Sequence, residues 1–440
     1  MQVLAIKNRN DLHKTLLPAS LLAAAFLLLP FVSICQQEKK IVPDGTEGLS
    51  LEKRSQDSIS KKLPPNEFNG PYSTFRIGAG YILDASTFVQ DDVFKKQMDS
   101  ANLKIDPTVQ TRDFRILGSG VLTTVKRTIA WKFAYMYDGN EKVWMMRESG
   151  ITIGVPEMKG HIFVGRTKEG FSMIKVMNGH SPWGYERQMA LDVIPILADG
   201  IKWFGMLPKS KIFWNLGYFN DFMSKGQGFS TFSWQYVARI GWLPVNNPEK
   251  KETLHIATSL RYAKPLDGKM TLKSRPESNN TPQLINTGSF ATDHSSHIGG
   301  EIFYTNKRFT IGSEIITHNF YNDNGDDHKF SGGNIMISYS ITGATRPYKT
   351  VGSIFGFVPV KKSVFKGGAG EIEAVVFVST LNLNSGNIKG GQMWRVTPMI
   401  NWYMTRVIRF ELIYGYGVLD RYGMKGKVQF FESRIQFTIM

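Results

Sequence analysis

The chain ends with "ESRIQFTIM", Glu432 to Met440, in which polar and apolar residues alternate strictly. The apolar phase carries Ser433, Ile435, Phe437 and Ile439, and the polar phase carries Glu432, Arg434, Gln436 and Thr438. Successive side chains of a β-strand point to opposite faces, so this stretch predicts a strand with one wet face and one apolar face. Two structures offer both surroundings: a water-soluble sandwich, or a barrel wall with lipid outside and water inside.

Segments with the same alternation recur from Pro71 to the C-terminus, separated by clusters of Gly, Asn, Asp and Pro. We count about sixteen of them, an even number within the range of outer-membrane barrels. The clearest are "STFRIGAGYIL" (73–83), "TIAWKFAYMY" (128–137), "TFSWQYVARIGW" (231–242), "TLHIATSLRY" (253–262), "NIMISYSI" (334–341), "MWRVTPMINWY" (393–403) and "VIRFELIYGY" (407–416). In the third segment, the alternation places Phe232 on the same face as Trp234 and Tyr236.

Charged residues recur at the centres of these segments, on the polar phase. The bases are Arg76, Lys132, Arg239, Arg261, Arg395, Arg409 and Arg434, and the acids are Glu301, Glu314, Glu373, Glu411 and Glu432. In a solid sandwich core they would be costly unpaired charges, whereas a water-filled lumen would solvate them. The sequence therefore predicts an all-β transmembrane antiparallel barrel, with a soluble all-β protein as the weaker alternative.

The N-terminus has the features of a secretory signal peptide. A basic start with Lys7, Arg9 and Lys14 precedes an apolar run from Leu16 to Val32. We expect a signal peptide over 1–35, a flexible periplasmic segment over 36–70, and the barrel over 71–440. Cleavage after Cys35, the only cysteine, would leave no disulfide. Lipoprotein processing at Cys35 is the alternative.

The chain has 53 Lys and Arg residues against 37 Asp and Glu residues, a net charge of +16. This excess favours anionic partners. Because an exported protein rarely meets nucleic acid, small anionic or neutral solutes and the phosphates of lipopolysaccharide are the expected partners. No cofactor is expected. After Val32, no apolar run approaches the ~20 residues that a membrane helix needs.

Two regions carry more specific motifs. The first contains "GRTKEGFSM" (165–173) and "YERQMALD" (185–192), and the second runs from Thr342 to Gln392 with "SIFGFVPV" (353–360) and "FKGGAGEIEA" (365–374) inside it. Their order and spacing resemble the phosphate-selective porin O and P family, over roughly residues 71–440. Gly170 departs from the proline usual in that family, Gln188 departs from serine, and Met440 departs from the aromatic residue often found at barrel C-termini.

The resemblance implies a homotrimeric sixteen-stranded porin in which a loop after Phe171 folds into the lumen. Apolar residues Met189, Val193, Ile196 and Leu197 have near-helical spacing and predict a short helix on the inner wall. The expected constriction candidates are Lys168, Glu169, Glu186 and Arg187. Two readings of Glu186 and Arg187 stay open here: a charged ring that selects ions, or a clamp that only pins the loop. Mixed charge in the lumen leaves phosphate selectivity unassigned.

Other sites are weaker. Asp323, Asp326 and Asp327 have oxygen ligands for calcium but no closing bidentate Glu, and such clusters are ordinary turn chemistry. His180 and Ser181 raise the hypothesis of an outer-membrane hydrolase, but no acidic residue to orient the histidine is identifiable. The leading functional prediction is a passive outer-membrane pore without catalysis, biased toward anions. The alternatives are a structural or adhesive barrel and, less favoured, an enzyme.

Overall fold

The computed structural model describes residues 65–225 and 231–439. The expected signal peptide, Cys35 and most of the 36–70 segment lie outside the described residues. Within the described part, the chain forms a closed antiparallel barrel, because the last strand pairs with the first long one from Ala79↔Ile439 to Gln90↔Val428. Among these residues no helix is long and apolar enough to cross a membrane.

The strands are β1 Glu67–Asn69, β2 Thr74–Gln90, β3 Thr108–Val121, β4 Ile129–Asp138, β5 Val143–Met146, β6 Ser149–Val155, β7 Gly160–Thr167, β8 Ala198–Leu207, β9 Ile212–Asn220, β10 Phe232–Asn247, β11 Glu252–Pro265, β12 Lys269–Ser274, β13 Ile285–Ala291, β14 His294–Asn306, β15 Phe309–Tyr321, β16 His328–Ser340, β17 Tyr348–Lys349, β18 Ile354–Phe355, β19 Glu371–Ser385, β20 Ile388–Tyr403, β21 Ile408–Arg421 and β22 Met424–Ile439. The helices are α1 Asp92–Ser100 and the single turn α2 Met173–Val176, with 3-10 turns at Pro156–Met158, Met189–Val193 and Val364–Lys366.

Sixteen strands close the barrel: β2 to β4, β6 to β11, β14 to β16 and β19 to β22. The prediction of a barrel of about sixteen strands is confirmed. The short β1, within the segment expected to be flexible, pairs with β2. Strands β12 with β13 and β17 with β18 form two separate hairpins.

The alternation of side chains follows the sequence prediction along most strands. In β22, Ile439 is exposed on the outer face, whereas Glu432 and Arg434 are buried on the inner face. Phe232 is wrongly placed by the simple alternation. A β-bulge lies between Phe232 and Trp234, so Phe232 turns inward and is buried. One extra residue reverses the facing of everything before it.

The two ends of the barrel differ in their connections. The end that holds the start of β2 and the end of β22 has connections 122–128, 156–159, 208–211, 248–251, 307–308, 341–370 and 404–407, which we call the turn end. The opposite end has connections 91–107, 139–148, 168–197, 221–231, 266–293, 322–327, 386–387 and 422–423, which we call the loop end. In outer-membrane barrels the short turns face the periplasm, which orients the chain.

Segments of the chain pack inside the lumen, so open space does not surround every inward charge. Segment 168–197, the β12–β13 hairpin and the β17–β18 hairpin all fold inward and share one buried apolar cluster. Trp183 joins the two ends, since its ring stacks on Phe303 at 5.6 Å and meets the edge of Phe355 at 5.1 Å. The sequence predicted solvated inward charges, but Arg239 and Arg395 are fully buried because these segments cover them.

Candidate constriction site

The inward segment 168–197, here called the lumen loop, leaves β7 through a buried ion-pair cluster. Glu169 lies between Lys175 and Arg261, with 3.2 Å from Nε of Arg261 to Oε1 of Glu169. The Lys168 ammonium donates to the carbonyl oxygen of Met177. Lys168 and Glu169 are therefore buried at the root of the loop.

The close approach of Asn215 on β9 requires a glycine at position 170. A Cβ at this position would lie 2.4 Å from Cγ of Asn215 on β9, which is shorter than any ordinary contact. The departure from proline that the sequence showed thus has a local cause: the wall side chain occupies the space that a larger residue would need.

Two wall carboxylates hold the start of α2. The backbone N–H of Met173 donates to Glu301 at 2.6 Å, and that of Ile174 donates to Glu314 at 3.1 Å. The hydroxyl of Ser172, which has a φ of 66°, also donates to Glu314 at 2.7 Å. The free N–H groups at the start of a helical turn favour negative charge, so the two carboxylates fix this turn to the wall.

The middle of the lumen loop contains a 3-10 turn, Met189–Val193, where the sequence predicted a short helix. Of the residues whose spacing predicted the helix, Met189, Val193 and Leu197 are buried and Ile196 is half-buried. The segment is helical, as predicted, but it is a 3-10 turn of five residues rather than an α-helix.

Glu186 is clamped by the wall. Its carboxylate receives two hydrogen bonds of 2.8 Å from Arg112 on β3 and one of 2.6 Å from Arg434 on β22. Arg434 also pairs with Asp84 through two bonds of 2.7 Å. Burial alone would raise the pKa of Glu186, but Arg112 and Arg434 hold it well below its usual value. Glu186 is therefore a charged anchor of the loop.

Arg187 has a different environment from Glu186. Its Nε is buried without a hydrogen-bond partner among the described residues. A Cβ built at Gly179 would lie 3.5 Å from Nη2 of Arg187 and 3.6 Å from Nη1 of Arg115, so the two guanidinium groups share one space. Burial, together with Arg112 and Arg115, lowers the pKa of Arg187 to about 10.

A third guanidinium belongs to the same group. Arg147 precedes β6, and burial, Arg115 and Arg187 lower its pKa to about 9. A cavity of about 40 Å³ is lined by Arg76, Arg115, Lys132, Arg147, Glu148, Asn178 and His180, among others. Arg115, Arg147 and Arg187 form what we call the basic cluster.

Acidic side chains near the basic cluster are already engaged. Asp113 receives bonds from both Arg112, at 2.6 Å, and Arg115, at 2.8 Å. Glu148 lies 3.4 Å from Lys132. The guanidinium groups of Arg147 and Arg187 are thus positive charges in excess of the nearby carboxylates.

The remaining predicted bases are neutralised. Each has a carboxylate within ion-pair distance, in the pairs Arg76–Glu67, Arg239–Glu301, Arg261–Glu169, Arg395–Glu432, Arg409–Glu411 and Arg434–Asp84. The mixed charge read from the sequence is therefore separated in space, with matched pairs on one part of the wall and a basic surplus beside β3, β4 and β6.

Sequence reasoning missed Arg112, Arg115, Arg147 and Lys202. Extending the alternation into "TRDFRILG" (111–118) would have placed Asp113 and Arg115 on the inner phase. Arg147 lies between two strands, where a period of two carries no information. No sequence signal would have found it.

The weaker candidate sites resolve into ordinary contacts. Nδ1 of His180 lies 2.8 Å from Oγ1 of Thr438, and the hydroxyl of Ser181 accepts a bond from Arg346. Nε2 of His180 lies 3.4 Å from Oδ1 of Asp113, an acidic neighbour that the sequence did not identify. Asp327 accepts a bond from the backbone N–H of Asn322. Within 65–225 and 231–439, no group of three or more His, Cys, Asp or Glu side chains could hold a metal ion. This applies to Asp323, Asp326 and Asp327 as well.

A closed sixteen-stranded barrel with an inward loop held by charged residues defines an outer-membrane porin, a protein of the outer membrane of Gram-negative bacteria. Residues 88–439 match the family described as "Phosphate-selective porin O and P". The chain belongs to this family, as its motifs predicted.

Solved structures of other outer-membrane proteins share the fold. An anion-selective porin from Comamonas acidovorans has a TM-score of 0.52 at 11% identity, with 83% of this chain and 100% of that chain covered. OmpT of Vibrio cholerae has a TM-score of 0.53 at 10% identity, with 85% and 100% covered. The outer membrane channel DcaP of Acinetobacter baumannii has a TM-score of 0.52 at 9% identity, with 84% and 99% covered.

A Caulobacter vibrioides protein of uncharacterized function is 28% identical over 141 residues, which are 32% of this chain. The match spans 28% of the length of that relative.

Proposed function

We propose that this porin is a passive pore for small hydrophilic solutes with a preference for anions. The observation that carries the proposal is the basic cluster, whose guanidinium groups exceed the carboxylates beside them. Charges inside a narrow, low-dielectric passage act on a passing ion more strongly than charges in bulk water. The family name and the anion-selective Comamonas acidovorans porin support the same preference.

The proposed mechanism needs no catalytic residue. Solute moves down its own gradient, while the lumen loop narrows the passage and the basic cluster sets the sign of the favoured ion. Glu186 anchors the loop, and Arg187 beside it faces the other cations. The sequence left two hypotheses open, a clamp and a selective charge. In this proposal Glu186 acts as the clamp and Arg187 as the selective charge.

Export and assembly are part of the proposal. We propose a cleaved signal peptide over 1–35, a flexible periplasmic segment over 36–70, a barrel over 71–440 and, from the family resemblance, a homotrimer. Outer-membrane lipid and lipopolysaccharide are the proposed surroundings, and phosphate or a related anion is the proposed solute class. The alternative of lipoprotein processing at Cys35 would be distinguished by intact mass of the mature chain.

A structural or adhesive barrel is the second candidate, favoured by the packed lumen. Arg239, Arg261 and Arg395 are all buried by the inward segments, and a lumen filled in this way would pass little solute. An enzyme is the least favoured candidate, since His180 and Ser181 are each bonded to other wall or loop residues.

Swelling of liposomes that contain the purified protein distinguishes these candidates. A pore makes the vesicles swell in small sugars and, faster still, in small organic anions of equal size. Equal rates for the neutral and anionic solutes would contradict the anion preference. No swelling in any solute, from protein that is folded by circular dichroism, would favour the structural barrel.

A further inference from the structure

The two ends of the barrel carry very different surface charge. The turn-end connections contain twelve exposed Lys and Arg residues and two exposed acids. The exposed bases are Lys126, Arg127, Lys159, Lys209, Lys250, Lys251, Lys307, Arg308, Lys361, Lys362, Lys366 and Arg406. The described loop-end connections contain seven exposed bases and ten exposed acids. The positive charge of the surface is thus concentrated at the end that faces the periplasm.

Backbone geometry shows that turn chemistry alone does not explain these lysines. Lys159, Lys211, Lys251 and Lys307 all have left-handed backbone conformations, with φ between 54° and 57°. Gly and Asn fit this region best, and a residue with a longer side chain costs free energy there. Four turns therefore hold a lysine where a neutral Asn would suit the backbone better.

The positive charges adjoin the apolar outer band. Phe365 is 73% exposed, in a 3-10 turn flanked by Lys361, Lys362 and Lys366. Phe309 follows Lys307 and Arg308 directly and is also exposed. An exposed aromatic ring beside basic side chains is the arrangement found at membrane interfaces, where the ring enters the acyl boundary and the charge meets the headgroups.

We propose that the turn end, with its twelve exposed bases and Phe365, binds the anionic headgroups of phospholipids in the periplasmic leaflet of the outer membrane. Charges spread over all seven connections fit lipid that surrounds a barrel, whereas a protein partner would favour one face. Basic segments at a membrane surface attract anionic lipid within a Debye length, so the attraction weakens with salt.

The test compares two variants that remove four charges each. Lys159→Asn, Lys211→Asn, Lys251→Asn and Lys307→Asn together neutralise the left-handed lysines of the turn end with a residue that suits their backbone. The matched control is Lys104→Asn, Lys142→Asn, Lys225→Asn and Lys269→Asn at the loop end, where all four lysines are exposed; at the turn end Lys211 is half-buried and the other three are exposed. Each protein is reconstituted in phosphatidylcholine, and the association of spin-labelled phosphatidylglycerol with the barrel is measured against spin-labelled phosphatidylcholine.

The native protein should prefer phosphatidylglycerol severalfold, and the preference should fall by at least half in the turn-end variant and stay unchanged in the loop-end variant. Equal preference in all three proteins would overturn the proposal. The partner of the turn end would then be an acidic periplasmic protein instead of lipid. Inorganic phosphate should reduce the preference no more than chloride at the same ionic strength. A stronger effect of phosphate would reassign the site to the free anion.

A fluorescent variant tests the apolar part independently. Phe365→Trp, on a background in which the nine native tryptophans are replaced by phenylalanine, should be quenched by lipids brominated near the headgroup. Quenching no greater than that of the water-exposed control Phe222→Trp at the loop end would overturn the interfacial placement. Both measurements use lipid alone and no ion flux. Their outcome is therefore independent of whether the protein is a pore.

Discussion

Glu301 and Glu314 lie directly opposite each other on β14 and β15, and both accept hydrogen bonds from the first residues of the lumen loop. Two carboxylates on neighbouring strands would repel each other in isolation. Here the N–H groups of Met173 and Ile174 and the hydroxyl of Ser172 lie between the wall and the loop. This pair therefore determines where the loop enters the lumen.

Removing Glu314 should release the loop. Glu314→Ala leaves the N–H of Ile174, the hydroxyl of Ser172 and the amide of Gln188 without their acceptor. A buried donor left without a partner costs about 1–3 kcal/mol, so docking should weaken by at least that amount. We expect faster amide hydrogen exchange over 172–176 and larger, noisier single-channel conductance.

Glu314→Gln is the matched variant, because its amide oxygen keeps one acceptor in a side chain of the same length. Its exchange rate and conductance noise should lie between those of native protein and Glu314→Ala. Native-like exchange in Glu314→Ala would show that the loop is held by its apolar contacts alone.

Reversing the charge of Arg187 should reverse the ion preference. Arg187→Glu places a carboxylate beside Arg115 and Arg147 and removes the positive surplus. A change of two unit charges within a few ångström of the ion path should lower the chloride-to-potassium permeability ratio by about fivefold. The zero-current potential of single channels in a potassium chloride gradient measures this ratio.

Lys142→Glu carries the same charge change on an exposed turn at the loop end and should leave the ratio almost unchanged. Arg187→Ala should weaken the preference without raising conductance for both ions alike. A general rise in conductance, with the ion ratio unchanged in Arg187→Glu, would mean that Arg187 only positions the loop.

Contact between the lumen loop and the β12–β13 hairpin should depend on pH. Burial raises the pKa of Glu277 to about 7, and the exposed Asp192 accepts a 2.8 Å bond from the hydroxyl of Ser274. A raised carboxyl pKa means that the docked state binds more protons than the undocked state. Docking should therefore be strongest below about pH 4 and weaken as the pH rises to about 7, with no further change above it.

Channel fluctuations between open and closed levels should accordingly increase from acidic to neutral pH, with the opening probability rising by about tenfold for each unit by which docking raises the carboxyl pKa. The double variant Asp192→Asn and Glu277→Gln should abolish this dependence. Fluctuations that increase equally with pH in the double variant would assign the effect to other groups.

Enlarging Gly170 should destabilise the barrel, and a second substitution should restore it. Gly170→Ala brings its Cβ into the space of the Asn215 side chain. Overpacking of this kind at a buried site costs about 1–3 kcal/mol of stability. Asn215→Ala removes the obstructing amide, so the double variant should recover most of the loss in unfolding by denaturant. Additive losses in the double variant would show that the two positions do not interact.

The wall could be read from the sequence because lipid outside and polar groups inside impose a period of two, as in the stretch from Glu432 to Ile439. Phe232 escaped that reading because a bulge adds one residue, and no local signal marks it. The ion pairs could not be predicted, since Arg395 and Glu432 come together only when β20, β21 and β22 are aligned. Arg147 lies where the alternation stops, so only the folded chain shows that it joins Arg115 and Arg187.

The most direct test is the zero-current potential of the native channel in a potassium chloride gradient, compared with the triple variant Arg115→Gln, Arg147→Gln and Arg187→Gln. We predict a potential of the sign set by chloride for the native protein and a value near zero, or of the opposite sign, for the variant. A native channel that prefers potassium, or a variant with the native potential, would contradict the account.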